Sequence, residues 1–138
     1  MTIREQLLGT SWRLKTFQSE DKNGELLYPL GEDAEGIIIF TSEQETSVQI
    51  MAKKRKDEAS LDLYNTEGEK EMARFGYHAY SGPFDLDEEK GHLTTHVKMS
   101  LLEVYVGTDQ VRAAKIDGDK LYLSNVEHPE RKLVWERI

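Results

Sequence analysis

The chain contains no cysteine. It can therefore form no disulfide, and it has neither a thiol nucleophile nor a cysteine-based zinc site. No segment is apolar over the length of a membrane-spanning helix, and residues 1–9 lack the apolar run of a secretory signal. These absences predict a cytoplasmic protein with no membrane partner.

Basic residues are outnumbered, since 18 lysines and arginines stand against 26 aspartates and glutamates, a formal net charge of -8. Such a chain repels phosphate backbones, which argues against a nucleic-acid partner. Hydrophobic residues make up 38% of the 138 positions, enough to build a core. With no linker or repeat in the sequence, we expect residues 1–138 to form a single domain.

Signatures of catalysis and of cofactor binding are also missing. There is no glycine-rich phosphate loop and no Gly-x-Ser-x-Gly nucleophile elbow. Among the four histidines, His92 and His96 are only four residues apart, but on a strand this separates them by about 13 Å, too far to share a metal ion. Haem held by one histidine would need a deep apolar pocket, for which the sequence gives no evidence. We predict no metal and no cofactor.

Short segments of alternating polarity, typical of β-strands, recur along the chain. In residues 46–51, for example, Val48 and Ile50 oppose Gln49. Another strand is predicted over residues 92–101, and turns rich in glycine separate the segments. The pattern predicts about eight or nine antiparallel strands with short connections.

Helical spacing interrupts this pattern at two places. Near the start, Thr2 and Glu5 have the spacing of a capping box and precede one or two helical turns. A second helix is predicted near residues 66–76, where Thr66 and Glu69 repeat that spacing. Short antiparallel strands with so little helix favour a sandwich or a barrel, and polar residues on both strand faces favour the barrel. We expect an all-β, antiparallel up-and-down β-barrel.

Seven short motifs occur in a characteristic order along nearly the whole chain. They are LGTSWRL (Leu8–Leu14), YPLGED (Tyr28–Asp33), SVQIM (Ser47–Met51), GYHAYSG (Gly76–Gly82), THV (Thr95–Val97), VGTDQVR (Val106–Arg112) and LVWER (Leu133–Arg137). In order and spacing they resemble the lipocalin-like domain family of the calycin group. The resemblance implies an up-and-down barrel around a cavity whose usual guest is a small molecule. It also implies a barrel floor closed by Trp12, with the Arg137 guanidinium stacked on the indole.

Four polar side chains are candidates for the polar end of a ligand site inside the barrel: Gln49, Tyr80, His96 and Arg112. Tyrosine and glutamine orient a polar group, histidine exchanges a proton near neutral pH, and arginine holds a carboxylate or enolate through two hydrogen bonds. Gln110 should share a strand face with Arg112. The alternative is that these groups bond one another or buried water. A buried arginine needs an anionic partner, and the sequence offers few interior acids.

These observations predict a protein that binds a small, mostly apolar molecule with a polar or anionic group, as a monomer or homodimer. The alternative is a small tailoring enzyme of a biosynthetic pathway, an isomerase or hydrolase that uses the same cavity with His96 as the candidate acid–base group. A carrier would return its ligand unchanged, whereas an enzyme would turn it over. A protein-interaction module would expose a large apolar patch, of which the charge-rich composition gives no sign.

Overall fold

The computed structural model describes residues 1–55 and 58–138. They form two short helices and ten strands. The helices are α1 (Ile3–Leu7) and α2 (Glu67–Phe75), and the strands are β1 (Thr10–Glu20), β2 (Leu26–Leu27), β3 (Glu35–Phe40), β4 (Glu45–Met51), β5 (Tyr77–Asp87), β6 (His92–His96), β7 (Met99–Ser100), β8 (Asp109–Asp117), β9 (Lys120–Asn125) and β10 (Lys132–Arg137). Two 3₁₀ turns cover Glu58–Leu63 and Glu103–Tyr105.

Eight of the strands close into an antiparallel barrel in the order β1-β3-β4-β5-β6-β8-β9-β10. The ring closes between β1 and β10, where Trp12 pairs with Arg137 and Phe17 pairs with Leu133. The two short strands lie off this ring, β2 on β1 and β7 on β5. The predicted up-and-down barrel is confirmed. Within the described ranges, no helix has the length and apolar character needed to cross a bilayer.

Alternation along the strands fills the barrel with apolar side chains. On β4, Val48 and Ile50 are buried while Gln49 and Met51 point outward. Side chains from the other strands meet these two in one core, which includes Ile38, Phe40, Phe84, Leu93, Leu121, Leu123 and Trp135. Each large apolar side chain buried in this way contributes roughly 1.5–3 kcal/mol to folding.

One end of the barrel is closed by α1 and Trp12, which we call the floor. Leu7 and Trp12 are both 0% exposed. The Arg137 guanidinium carbon lies 4.5 Å from the centroid of the Trp12 ring, so the stacking implied by the family resemblance is confirmed. Arg137 also donates a hydrogen bond of 3.2 Å to the Gln6 carbonyl, which ties α1 to the last strand.

The second helix is confirmed together with its caps. Thr66 Oγ1 accepts a hydrogen bond of 3.2 Å from the Glu69 amide, which satisfies one free amide of the first turn. Gly76 ends α2 in the left-handed conformation with φ 66°, which an L side chain disfavours. The helix buries Met72 against the barrel core.

The strand predicted over residues 92–101 is interrupted, because β6 ends at His96 and β7 contains only two residues. At the break, the backbone of Gly82 in β5 lies so close to the His96 carbonyl that a Cβ at residue 82 would collide with it. The Lys98 amide then donates to the Ser81 carbonyl at 2.9 Å, so the chain leaves the regular ladder there. Met99 in β7 is 68% exposed.

Candidate functional site

The barrel encloses a cavity of about 40 Å³. A water molecule needs roughly 10–15 Å³ of such space, so the cavity has room for only a few waters. Most of the wall is apolar and comes from the barrel core. The polar part of the lining consists of His78, Tyr80, Tyr105, Arg112, Asn125 and Arg131.

A cap made of α2 and the turn Glu103–Tyr105 covers the end of the cavity opposite the floor. Met72 of α2 and Tyr105 of the turn both line the cavity. The Tyr105 hydroxyl lies so close to Gly68 in α2 that a Cβ at residue 68 would collide with it. Gly68 therefore allows the helix and the turn to pack directly against each other.

A buried ion pair joins the cap to the barrel. Glu69 in α2 is 0% exposed, and its Oε1 contacts the Arg131 guanidinium. Ser19 in β1 donates a hydrogen bond of 3.1 Å to the same carboxylate, and Arg131 Nη2 donates one of 3.0 Å to Thr66 Oγ1. Because Arg131 directly precedes β10, these contacts hold α2 over the seam where β1 and β10 close the barrel. Arg131 thus has its counter-ion within the protein.

Arg112 in β8 is the other cation at the cavity, and no carboxylate in the described ranges pairs with it. Its Nη2 donates to Gln110 Oε1 at 3.1 Å, and its Nη1 donates to the Val111 carbonyl at 3.2 Å. The contact with Gln110 confirms that these two side chains share a strand face. Since Glu69 balances only Arg131, the lining carries an excess positive charge.

His78 is a cavity residue that sequence reasoning missed. Its ring centroid lies 5.2 Å from that of Tyr80 and 5.6 Å from that of Tyr105. Burial, with the positive charges of Arg112 and Arg131, lowers the pKa of His78 from 6.5 to about 3, so the imidazole is neutral at physiological pH. His78 lies two residues before Tyr80 on β5. The alternation that predicts an inward Tyr80 therefore also predicts an inward His78.

Only two of the four predicted site residues lie at the cavity, namely Tyr80 and Arg112. Gln49 is exposed on the outer face of β4, because its two neighbours in the strand point inward. Its Oε1 accepts a hydrogen bond of 2.6 Å from the Tyr77 hydroxyl. The prediction that Gln49 lines the interior is therefore wrong.

His96 is likewise on the outer surface, because Thr95 and Val97 on either side of it are buried. Its predicted position inside the barrel is wrong. The Nδ1 atom lies 2.8 Å from Asp109 Oδ1, and the Nε2 atom lies 2.7 Å from Asp85 Oδ2. Since a carboxylate only accepts hydrogen bonds, both ring nitrogens carry hydrogen in this arrangement. The hydrogen bonds to Asp109 and Asp85 raise the pKa of His96 above its ordinary 6.5.

We expect this bridge to stabilise the fold only at lower pH. Because the folded-state pKa of His96 is raised, the stabilisation is complete below about pH 6.5 and is lost as pH rises through the folded-state value. His96→Asn should lower the free energy of unfolding by at most about 1 kcal/mol near pH 6, since both carboxylates are exposed, and by less near pH 9. Urea unfolding measures both values, with His92→Asn in the same strand as the control. An equal loss at the two pH values would contradict the bridge.

A family model described as a lipocalin-like domain matches residues 9–138. The match covers almost the whole chain, so the chain belongs to the lipocalin-like domain family. Comparisons with curated proteins and with solved structures found no match. Membership agrees with the closed eight-stranded barrel and suggests small-molecule binding in general.

Proposed function

We propose that this member of the lipocalin-like domain family binds a small, mostly apolar molecule with an anionic group, and that Arg112 holds the anion. The observation that carries the proposal is the lack of any described carboxylate beside the Arg112 guanidinium at an interior cavity. The Arg112 side chain is partly buried, and an opposite charge stabilises a cation that has lost part of its hydration. A bound anion supplies that charge.

The remainder of the lining suits such a ligand. Phe17, Ile38 and Leu133 offer apolar surface to the body of the molecule. Tyr80 and Asn125 bring hydrogen-bonding groups to the same cavity as Arg112. A mainly apolar wall with a few converging polar groups is typical of small-molecule sites.

A ligand of more than a few atoms requires the cap to move outward, since ligand pockets usually measure roughly 300–1,000 Å³. Met72 provides adaptable packing there, because an unbranched thioether side chain fills irregular spaces easily. Residues 99–106, which include the cap turn, also expose apolar side chains, and this suits an entry route for an apolar molecule. They are Met99, Leu101, Val104 and Val106.

Binding without turnover is favoured over acid–base catalysis by the state of the histidines. His78 faces the cavity, but its pKa of about 3 makes it a weak proton acceptor at neutral pH. His96, the candidate acid–base group, lies outside the barrel and is engaged by two aspartates. The function proposed is therefore that of a carrier that releases its ligand unchanged.

Arg112→Met should remove the preference for an anion. We expect the affinity for octanoate to fall at least about tenfold, because a charge-assisted hydrogen bond is lost. The affinity for 1-octanol, an uncharged probe of equal length, should stay the same. Isothermal titration calorimetry with both probes measures the two changes. Arg13→Met, which removes an exposed arginine from the outer face of β1, is the matched control and should change neither.

The Arg112→Met variant should also remain folded. Replacing a partly buried cation that lacks a carboxylate partner by an apolar side chain is expected to leave the melting temperature unchanged or to raise it. Octanoate binding that is equal in the wild type and in folded Arg112→Met would refute the proposed role of Arg112.

A further inference from the structure

We infer that the ligand carries a second oxygen, a hydroxyl or carbonyl group, at the end of its apolar part that lies away from the anion. The inference rests on the proposed function and narrows its ligand class to elongated carboxylates oxygenated at the far end. The observation behind it is Trp135 in β10, which is 0% exposed and lines the same cavity as Arg112.

The indole N–H of Trp135 is buried and has no hydrogen-bond acceptor in the part of the chain that the structure describes. An indole nitrogen can only donate, and buried polar groups are nearly always paired. The other tryptophan follows this rule, since Trp12 Nε1 donates to Thr10 Oγ1 at 2.9 Å. Trp135 lines the cavity and carries an unpaired donor, and a ligand that widens the cavity can supply the acceptor.

His78 provides a second unpaired group at the same cavity, because its buried Nδ1 also lacks a partner among the described residues. The neutral ring carries hydrogen on one nitrogen and can accept at the other. The His78 ring centroid lies 5.6 Å from that of Tyr105 in the cap turn, which puts His78 at the same end of the cavity as Arg112. With its hydrogen on Nδ1, His78 can donate to the anionic group alongside Arg112, and Trp135 is left for a different part of the ligand.

Trp135 and Arg112 lie at different depths of the barrel. Arg112 pairs with Asn125, the last residue of β9, on the side of the cap. Trp135 pairs with Leu121, four residues earlier in β9, and with Leu14, two residues from the floor tryptophan. Four residues along a strand span about 13 Å between backbone positions, and the two side chains reach the same cavity from these two levels. The anion accordingly lies under the cap, and the second oxygen lies towards the floor.

A trapped water molecule is the competing partner for Trp135, because the cavity has room for a few waters. The two explanations differ in what a ligand does on binding. If the site recognises a ligand oxygen, affinity depends on the Trp135 N–H whenever the ligand has an oxygen at its far end. If the site only holds water, removing the Trp135 N–H should not change how much a far-end oxygen adds to the affinity.

The test compares octanoate, 8-hydroxyoctanoate and 2-hydroxyoctanoate in the wild type and in Trp135→Phe by titration calorimetry. We expect the affinity of 8-hydroxyoctanoate relative to octanoate to fall about tenfold in the variant, because the partner of the distal hydroxyl is gone. The relative affinity of 2-hydroxyoctanoate, whose hydroxyl lies beside the carboxylate, should not change. An unchanged ratio for 8-hydroxyoctanoate would overturn the inference.

The indole resonances give a readout that does not depend on the folding of a variant. The chain has two tryptophans, so its ¹H–¹⁵N spectrum contains two indole peaks. The distal hydroxyl of 8-hydroxyoctanoate should move the Trp135 peak to lower field than octanoate does, and the Trp12 peak should remain in place. If none of the acids binds, the proposed function fails, and the inference fails with it. If all three bind with equal affinity and shift the Trp135 peak equally, only the second-oxygen inference fails.

Discussion

Trp12→Ala should destabilise the protein by about 3–5 kcal/mol, as truncation of large buried aromatic side chains does. Trp12 is 0% exposed in the barrel floor, so its removal leaves a void next to Leu7. It also leaves the Arg137 guanidinium without the ring on which it stacks. Urea unfolding measures the loss, and thermal melting should show a decrease of about 10 °C or more.

Two further variants separate packing from the cation–π contact at the floor. Arg137→Met removes the charge and keeps an apolar side chain, so it should cost only about 0.5–2 kcal/mol. Tyr122→Ala truncates an aromatic residue that is 40% exposed on β9, and its cost should stay below about 1 kcal/mol. If Trp12→Ala unfolded at the same urea concentration as the wild type, the floor role of Trp12 would be refuted.

The barrel could be predicted from the sequence because its main determinants are local. The alternation in residues 46–51 and the capping spacing at Thr66 and Glu69 each depend on a few adjacent residues, and both are realised. The break between β6 and β7 coincides instead with the close approach of Gly82 to a carbonyl 14 positions along the chain. A distant steric contact of this kind leaves no periodic signal.

The errors at the site are errors about which strand face points inward. A side chain displaced by one position in a strand lies on the opposite side of the wall. Gln49 has apolar neighbours on both sides, and its exposure follows from the same alternation that buries Val48 and Ile50. The prediction of a polar interior contradicts that pattern. Arg112 shares its strand face with Ala114, which is buried, and its place at the cavity agrees with that alternation.

Residues that act through distant partners were not predictable. Glu69 and Arg131 are 62 positions apart, and they meet only after β10 closes on β1. In its local sequence Glu69 belongs to a capping box, whose carboxylate is usually at a helix surface. Arg131 follows a turn that contains Pro129. Neither position carries a local signal of burial, although the two side chains form a buried ion pair.

Glu69→Ala should destabilise the protein by about 3–5 kcal/mol, because it leaves the Arg131 guanidinium buried without a counter-ion. Glu67→Ala is the matched control, since this glutamate in the same turn of α2 has a side chain that is 80% exposed. Its cost should stay within about 0.5 kcal/mol. Urea unfolding of the three proteins under identical buffer conditions gives both differences.

The double variant Glu69→Met with Arg131→Met identifies the source of that loss. When both charges of a buried pair are replaced by apolar side chains of similar volume, the result is often neutral or stabilising. The double variant should therefore recover most of the stability that Glu69→Ala loses, and the coupling between the two sites should exceed about 1 kcal/mol. If the double variant is as unstable as Glu69→Ala, the unpaired charge is not the cause. The loss would then come from the packing of α2 on the barrel, and the ion pair would have no electrostatic part in holding the cap.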